Sequence, residues 1–192
     1  VYKRQGSGRV VLQSLPKINL AFKKKNIKKK KQLNEFLTAH QPNKTIHVIG
    51  LCSNGGVHSH KDHIIELTKI LNNNNLKVCL HLFSDGRDSS PNEFGSIIKK
   101  MINQLPRKIK ISSLIGRYYS MDRDNRWERI EKTYNLIVNG KSAYNCENIV
   151  QAINLAYNRN ETDEFVSPTV IGDYEGVKNG DSILITNFRA DR

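Results

Sequence analysis

Residues 45–88 decide the fold, with the sequence TIHVIGLCSNGGVHSHKDHIIELTKILNNNNLKVCLHLFSDGRD. Residues 45–51 and 77–83 are short apolar segments that predict strands, and residues 60–71 between them carry apolar positions at helical spacing. The second segment has few polar positions, as expected for a strand that is covered on both faces. A strand, a helix and another strand in this order predict two parallel neighbours in an open sheet.

The same alternation continues toward the C-terminus. Ser90-Pro91-Asn92-Glu93 resembles a capping box and predicts a helix with a long apolar stripe. Residues 109–115 predict a third strand, and a second capping pattern at residues 125–128 predicts a helix. We further predict a helix at residues 147–157 and strands at residues 165–171 and 182–186. The whole pattern predicts an α/β fold with a mainly parallel sheet flanked by helices. The inward face of the helix after residue 125 is expected to carry Trp127, Ile130, Tyr134 and Ile137.

Residues 1–44 differ from the rest because they are basic and only weakly periodic. One helix is predicted there, at residues 31–40, with Leu33, Phe36 and Leu37 facing inward. The chain begins with Val1 rather than Met, and its last six residues form one of the motifs described below. We therefore expect both ends to be cut from a longer protein. A length of 192 residues suits one or at most two domains.

Composition argues against several classes of protein. No apolar run is long enough to cross a bilayer, and the basic start is not followed by the apolar stretch of a secretory signal. The cysteines Cys52, Cys79 and Cys146 are odd in number and include no CxxC pair. This pattern argues against a disulfide framework or a zinc site and favours a reducing cytosol.

The charge of the chain is strongly positive and unevenly distributed. The net charge is +13, and seven of the 31 basic residues are lysines between residues 23 and 31, so about half of the excess is local. Such a run can bind nucleic acid or an anionic membrane, or it can be a solvated, lysine-rich helix face. We favour the solvated helix face and keep a basic nucleic-acid-binding module as the alternative function.

Arginine and histidine side chains follow four of the predicted strands. Because ligands of an open parallel sheet bind outside the carboxyl ends of the strands, these side chains should meet at one crevice. Several guanidinium groups would repel each other there unless an anion lay among them, and the planar fork of arginine fits carboxylate and phosphate oxygens. The sequence therefore predicts a small substrate that carries phosphate, carboxylate or both. The predicted site residues are His58, Arg87, Arg117, Arg123, Arg189 and Arg192.

Several of these motifs also have a purely structural interpretation. The spacing of His58, His60 and His63 is one that metal sites use, but no cysteine or carboxylate nearby completes the set. We favour a substrate-facing His58 with structural His60 and His63. Asp88 is either a surface partner of the adjacent Arg87 or a carboxylate that contacts a substrate hydroxyl and handles its proton.

Two further features have both a functional and a structural interpretation. Gly55-Gly56 either lets the backbone approach an anion or simply makes a tight turn. In the mixed-charge run at residues 122–129, we expect Arg126, Glu128 and Arg129 to be ion-paired at a helix entrance.

The chain contains no G-x-S-x-G, Walker or HExxH sequence. It is therefore predicted to hold an anion rather than to attack one.

Five motifs of the chain, taken in order, resemble the cofactor-independent phosphoglycerate mutases. The third motif is long and specific, and chance agreement across all five is negligible. The similarity covers residues 6–192, and residues 6–9 resemble the segment just after the family's catalytic serine. The motifs are GGVHSH (residues 55–60), DGRD (85–88), GRYYSMDRDNRWER (116–129), ETDEF (161–165) and NFRADR (187–192).

The resemblance implies a glycolytic isomerase with two domains. One domain is alkaline-phosphatase-like, carries the nucleophilic serine and binds two manganese ions; the other is inserted into it and holds the substrate. Residues 1–12 would be a remnant of the phosphatase-like domain and hinge. Residues 13–192 would be most of the inserted substrate-binding domain, incomplete at its C-terminal end. The parent enzyme is expected to be a cytoplasmic monomer with no membrane partner.

The resemblance also implies a mechanism that converts 3-phosphoglycerate to 2-phosphoglycerate. The phosphoryl group passes to the serine, and the held glycerate then presents its other hydroxyl and takes the group back, without 2,3-bisphosphoglycerate. Holding the glycerate in place would be positional catalysis, and the metals would activate the serine. Asp88 is the candidate for proton handling. The implied substrate contacts are His58, Arg87, Asp88, Arg117, Arg123, Arg189 and Arg192.

Some features depart from the family pattern. Asn54 stands where the family usually has Asp, and residues 1–5 do not match the family. The catalytic serine and the metal ligands implied by the resemblance lie outside this chain, so we expect the chain alone to be inactive. A stand-alone anion sensor is a third possible function, beside the mutase fragment and the nucleic-acid-binding module.

Overall fold

A computed structural model of the protein describes residues 12–191. The predicted substrate contact Arg192 and nearly all of the predicted remnant at residues 1–12 lie outside this part of the chain. The strands are β1 (Thr45–Cys52), β2 (Lys77–Ser84), β3 (Lys110–Gly116), β4 (Tyr144–Cys146), β5 (Thr169–Ile171) and β6 (Ser182–Ile185). The helices are α1 (Ser14–Lys23), α2 (Lys31–Ala39), α3 (Lys61–Asn73), α4 (Phe94–Ile102), α5 (Arg117–Ser120), α6 (Trp127–Ile137) and α7 (Ile149–Asn158), with short 3-10 helices at Ile27–Lys29 and Asp163–Phe165.

The six strands form one sheet in the order β4-β5-β3-β2-β1-β6. The four central and edge strands β3, β2, β1 and β6 are parallel, whereas β5 runs antiparallel to β3. The predicted α/β fold with a mainly parallel sheet is confirmed. No helix within residues 12–191 is both long and apolar enough to span a membrane.

Apolar side chains lie on both faces of the sheet. In β1, Ile46 and Val48 join one buried cluster, which includes residues of α3, α4 and α7, while Ile49 and Leu51 join a second cluster with α6. This division follows from the two-residue repeat of a strand, which sends alternate side chains to opposite faces. Helices therefore cover both faces, as the apolar sequence of β2 predicted.

The start of α4 differs from the predicted capping box. Ser90 does not cap the helix; its carbonyl accepts from the Glu93 N–H in a turn, and α4 begins at Phe94. The Phe94 N–H instead donates to Asp163 Oδ2 at 2.8 Å. A distant carboxylate has therefore taken the capping role. The predicted apolar stripe is confirmed in part: Phe94, Ile97, Ile98 and Met101 are buried, whereas Ile102 is 37% exposed and Leu105 lies beyond the end of the helix.

The predicted inward face of α6 is partly wrong. Trp127 and Tyr134 are 71% and 57% exposed, whereas Leu136 and Ile137 are buried. No side chain caps the helix at Arg126, so the predicted capping box is also wrong. Aromatic residues count as apolar in a periodicity argument, but here the helix is buried mainly through its last turn.

Two shorter segments also differ from expectation. The sequence did not predict α1, which packs on α3 through a hydrogen bond of 2.6 Å between His63 Nε2 and Asn19 Oδ1. The lysines of residues 23–31 are exposed and divided among the end of α1, a 3-10 helix and the start of α2, rather than forming one helix face. The strand predicted at residues 165–171 is only β5, because the chain before it forms a 3-10 helix.

Candidate anion-binding site

The loops that follow β1, β2, β3 and β6 lie at the same edge of the sheet, because these four strands are parallel. The loop after β6 is tied to the loop after β1, since the Phe188 N–H donates to the His58 carbonyl at 2.8 Å. Asn187 Oδ1 also accepts from the Leu51 N–H at 3.0 Å. The structure thus gathers the predicted site residues at one edge, with Arg192 outside its described part.

Asp85 is the buried centre of these loops, and sequence reasoning did not single it out. Its side chain is 1% exposed and accepts from the Ser53 hydroxyl and from the N–H groups of Arg87 and Asp88, at 3.2 and 3.0 Å. Arg117 Nη1 donates to Asp85 Oδ1 at 2.6 Å. Burial opposes ionisation, but these hydrogen bonds outweigh it and lower the pKa of Asp85. Asp85 is therefore a positioning residue for three loops.

Arg117 connects Asp85 to Asp88. The same Nη1 lies 2.6 Å from Asp88 Oδ2, and Asp88 Oδ2 lies 3.9 Å from His58 Nε2. Burial, followed by the positive charges of Arg117 and Arg189, lowers the pKa of His58, so its imidazole is neutral near neutral pH. His58 Nδ1 is buried and has no partner among the described residues. Sequence reasoning paired Asp88 with Arg87; the structure pairs it with Arg117.

The other guanidinium groups also have carboxylate partners. Arg87 Nη1 lies 3.2 Å from Glu164 Oε1. Asp191 Oδ2 forms ion pairs with two arginines, at 3.3 Å from Arg123 and 2.7 Å from Arg189. The expectation that a ligand anion must offset repulsion among the arginines is wrong, because carboxylates of the chain itself lie between them. An incoming anion would exchange with these carboxylates.

A cavity of about 120 Å³ is lined by three of these side chains, Arg87, Arg123 and Glu164. Arg129, beside it, pairs with Asp122 at 3.2 Å and stacks over the Tyr118 ring at 3.8 Å, so it is held at the helix entrance as predicted. The side chains of Tyr118 and Phe165 pack together, with ring centroids 4.9 Å apart. The cavity is lined by Arg87, Arg117, Tyr118, Met121, Asp122, Arg123, Asp124, Arg129 and Glu164.

Gly55 permits a close approach of two loops. A Cβ atom at this position would lie 2.3 Å from the Asp88 carbonyl oxygen, which is closer than such atoms come. Neither interpretation of Gly55-Gly56 describes this role, which is to let the first loop pack closely against the second. Asn54 in the same loop donates its Nδ2 to Glu93 Oε1 at 2.9 Å, a bond that an ionised Asp at this position would lack.

The other two histidines of the first loop have structural contacts. His60 Nδ1 accepts from the Asp62 N–H and caps α3, and His63 stacks on Phe22 with ring centroids 5.3 Å apart. These contacts agree with the preferred interpretation of His60 and His63. Within residues 12–191, no group of three His, Cys, Asp or Glu side chains is arranged to hold a metal ion.

The arrangement suits binding of a small anion more than covalent attack. Arg87, Arg123 and Arg189 are exposed or partly exposed, so a ligand can reach them. Asp88 keeps 21% of its side chain exposed and can accept a hydrogen bond from a ligand hydroxyl. The Ser53 hydroxyl is engaged by the buried Asp85. The site can therefore grip phosphate or carboxylate oxygens and present a carboxylate beside them.

Comparison with known proteins gives a consistent result. The family model "BPG-independent PGAM N-terminus" matches residues 18–192. The 2,3-bisphosphoglycerate-independent phosphoglycerate mutase of Gluconobacter oxydans is 44% identical over 188 residues, covering 97% of this chain and 37% of that protein. The corresponding enzyme of Francisella philomiragia is 44% identical over 195 residues, covering 97% of this chain and 38% of that protein.

A solved structure shares the fold. A crystal structure of Leishmania mexicana phosphoglycerate mutase at low cobalt concentration superposes with a TM-score of 0.83 at 26% identity, covering 96% of this chain and 37% of that one. The chain thus spans a little over a third of the length of the proteins it matches.

Proposed function

Because the chain belongs to the BPG-independent PGAM N-terminus family, we propose that it forms the substrate-holding domain of a phosphoglycerate mutase. The parent enzyme would be a glycolytic isomerase that interconverts 3-phosphoglycerate and 2-phosphoglycerate through a phosphoserine intermediate. The names of its relatives, all independent of 2,3-bisphosphoglycerate, support an enzyme that does not need that compound. Since the chain covers only part of each relative, the activity belongs to the longer protein.

The observation that carries the proposal is a set of exchangeable ion pairs at this edge of the sheet, of which Arg87–Glu164 lies in the cavity wall. Phosphate and carboxylate oxygens of phosphoglycerate would take the places of Glu164 and Asp191 on the arginines, whose forks match both groups. Arg117 would stay on Asp85 and offer its remaining donors. The substrate contacts we propose are His58, Arg87, Asp88, Arg117, Arg123, Arg189 and Arg192.

We assign proton handling at the glycerate hydroxyls to Asp88. Its partly exposed carboxylate lies within 3.9 Å of His58, an imidazole that is neutral and so can accept or donate at its two nitrogens. The arginines keep the glycerate from leaving while its two hydroxyls exchange places. Holding the glycerate in this way accelerates the reaction by orienting the hydroxyls and needs no new covalent bond to the arginines.

No group of three His, Cys, Asp or Glu side chains within residues 12–191 is arranged to hold a metal ion. We propose that the two manganese ions of the parent enzyme, and the serine, belong to a phosphatase-like domain that joins this one near residue 12. The three cysteines are free thiols, which fits a cytoplasmic enzyme. The division into residues 1–12 and 13–192 fits the start of α1 at Ser14.

The test is titration of the isotope-labelled 192-residue chain with 3-phosphoglycerate, followed by amide NMR. We expect saturable shifts in the loops at residues 53–60, 84–88, 117–124 and 187–191. Arg123→Ala should weaken binding about tenfold, as expected for one charge-assisted contact. The matched control is Arg107→Ala, an exposed arginine outside the site. Folded spectra without shifts in these loops, or equal effects of the two variants, would contradict the proposal.

Asp88 is tested in the full-length enzyme. Asp88→Asn should lower kcat by about a hundredfold or more while the KM for 3-phosphoglycerate changes little, because an amide keeps the shape but cannot take a proton. Full activity of this variant would exclude Asp88 as the proton carrier and leave only its binding role. The isolated chain should show no mutase turnover.

A further inference from the structure

A second cavity lies at the opposite edge of the sheet, at the amino ends of the parallel strands. Thr45, Lys77 and Lys110, the first residues of β1, β2 and β3, contribute to its wall. Strands of this length separate it from the anion-binding site by roughly 20 Å. Its volume is about 530 Å³, which is within the range of about 300–1,000 Å³ typical of small-ligand pockets.

The wall of this cavity is basic and contains no acidic residue. Its four lysines are Lys44, Lys77, Lys108 and Lys110. Lys44 donates to the Asn179 carbonyl at 2.6 Å and Lys108 to Asn75 Oδ1 at 3.3 Å, and neither acceptor carries a charge. Lys110 pairs with Asp173 at 3.1 Å, but that carboxylate is 83% exposed, so water screens the pair. The charge here is largely uncompensated, in contrast to the arginines of the first site.

His40 gives a second and independent sign of a ligand. It forms part of the cavity wall and is nine-tenths buried. Its Nδ1 lies 2.8 Å from Ser182 Oγ, whereas its Nε2 is buried without a hydrogen-bond partner among the described residues. If Nδ1 accepts from the serine hydroxyl, Nε2 carries the proton and lacks an acceptor. An unpaired buried donor is unfavourable, and a ligand oxygen would satisfy it once the side chains that cover Nε2 move aside.

The remainder of the wall is half polar and half apolar: Asn43, Thr45 and Asn75 are polar, and three neighbouring residues are apolar. Leu76, Val78 and Cys79 line the cavity beside the lysines. A purely inorganic anion would leave this surface unused, whereas a ligand with a flat organic part would cover it. From the four lysines, the unpaired imidazole and the apolar part of the wall together, we propose that this cavity binds a nucleoside polyphosphate. The phosphates lie against the lysines and His40, and the base lies against Leu76 and Val78.

The experiment is an amide NMR titration of the isotope-labelled 192-residue chain with ADP, with adenosine and pyrophosphate as separate probes. ADP should give saturable shifts at residues 43–45, 76–79 and 108–110, and its Kd should rise with salt. Adenosine and pyrophosphate should each bind at least about fivefold more weakly than ADP. Pyrophosphate that binds as tightly as ADP would overturn the assignment of an organic part.

A pair of matched variants separates this cavity from the general positive charge of the chain. The double variant Lys77→Ala/Lys108→Ala should raise the Kd for ADP at least about fivefold. Lys28→Ala/Lys29→Ala removes the same charge from exposed positions outside the cavity and should change the Kd less than about twofold. Equal weakening by both pairs, or ADP shifts confined to the loops around Arg117 and Arg123, would overturn the proposal. Neither result would bear on phosphoglycerate binding, which is measured at the other edge.

Discussion

Arg117 and Asp85 form a salt bridge of 2.6 Å in which the two side chains are only 3% and 1% exposed. A pair this deeply buried is costly to desolvate, and its net stabilisation is small compared with the penalty for leaving either charge alone. Here it joins the end of β3 to the end of β2. The pair therefore fixes where the loops lie, and leaves the more exposed arginines to exchange partners.

Loss of the Asp85 charge should destabilise the fold. Asp85→Asn keeps the shape of the side chain but removes one of the two carboxylates that face Arg117, and we expect the free energy of unfolding to fall by about 3 kcal/mol. Glu66→Gln is the matched control, because Glu66 forms a 2.8 Å ion pair with Lys69 at the surface. The control should cost less than about 1 kcal/mol in urea unfolding. Equal costs would show that Asp85 is not the centre of the loop network.

Loss of the Asp191 charge should strengthen ligand binding by the chain. Asp191 occupies Arg123 and Arg189, so Asp191→Asn removes an internal competitor. The Kd for 3-phosphoglycerate should fall about three- to tenfold, the range expected for two partly exposed ion pairs. Isothermal titration calorimetry gives this value directly, with Asp124→Asn as a control in the same region. Weaker binding by Asp191→Asn would mean that Asp191 orients the arginines instead of competing for them.

Acid should destabilise the protein at pH values where few carboxylates titrate. Burial, and then the neighbouring His47, lowers the pKa of His81 to about 3; burial, and then His60, lowers that of His63 to about 4. Between about pH 6.5 and 4 the unfolded chain therefore binds more protons than the native chain, and stability falls as the pH falls. Together, the two groups lower the free energy of unfolding by up to about 2 kcal/mol as the pH falls from 6.5 to 5.5.

Urea unfolding at several pH values measures this effect. His63→Gln should remove a large part of the dependence, because His63 is one of the two imidazoles whose pKa is lowered most. Stability that is constant or rises between about pH 6.5 and 5.5 would show that the two imidazoles are protonated in the native protein.

The hydroxyl of Tyr157 should contribute to stability through Asp163. It donates to Asp163 Oδ1 at 2.6 Å, while the other oxygen of this fully buried carboxylate caps α4. Tyr157→Phe should lower the free energy of unfolding by about 2 kcal/mol, since a buried carboxylate loses a donor. Tyr134→Phe, at a residue that is 57% exposed, should change it by less than about 0.5 kcal/mol. Similar values for both variants in urea unfolding would contradict this role.

The parts of the fold that follow from local pattern were predictable. β1 and β2 are apolar runs of the expected length, and the parallel order that they imply brings the loops after them to one edge. The parallel strand order alone therefore predicts that His58, Arg87 and Arg117 lie near one another. The apolar stripe of α4 was equally visible, since it depends only on helical spacing.

The remainder depends on contacts between distant parts of the chain. Asp163 caps α4 although it lies 69 residues away in the sequence. A capping pattern read from the residues around Ser90 cannot reveal such a distant cap. The carboxylate partners Glu164 and Asp191 were missed for the same reason. Their charges sit inside the recognised motifs, but which arginine each meets is a matter of tertiary structure.

β6 forms an edge of the sheet within residues 12–191 and pairs there with β1 alone. Two of its four residues, Ile183 and Ile185, are 46% and 62% exposed. An edge strand with free peptide groups and an apolar face is a template for pairing with another chain. A second copy of the 192-residue chain would be able to add strand to strand here, and such self-association would grow with protein concentration. Dilute samples, or the substitution Ile185→Lys, would keep the molecules apart during binding measurements.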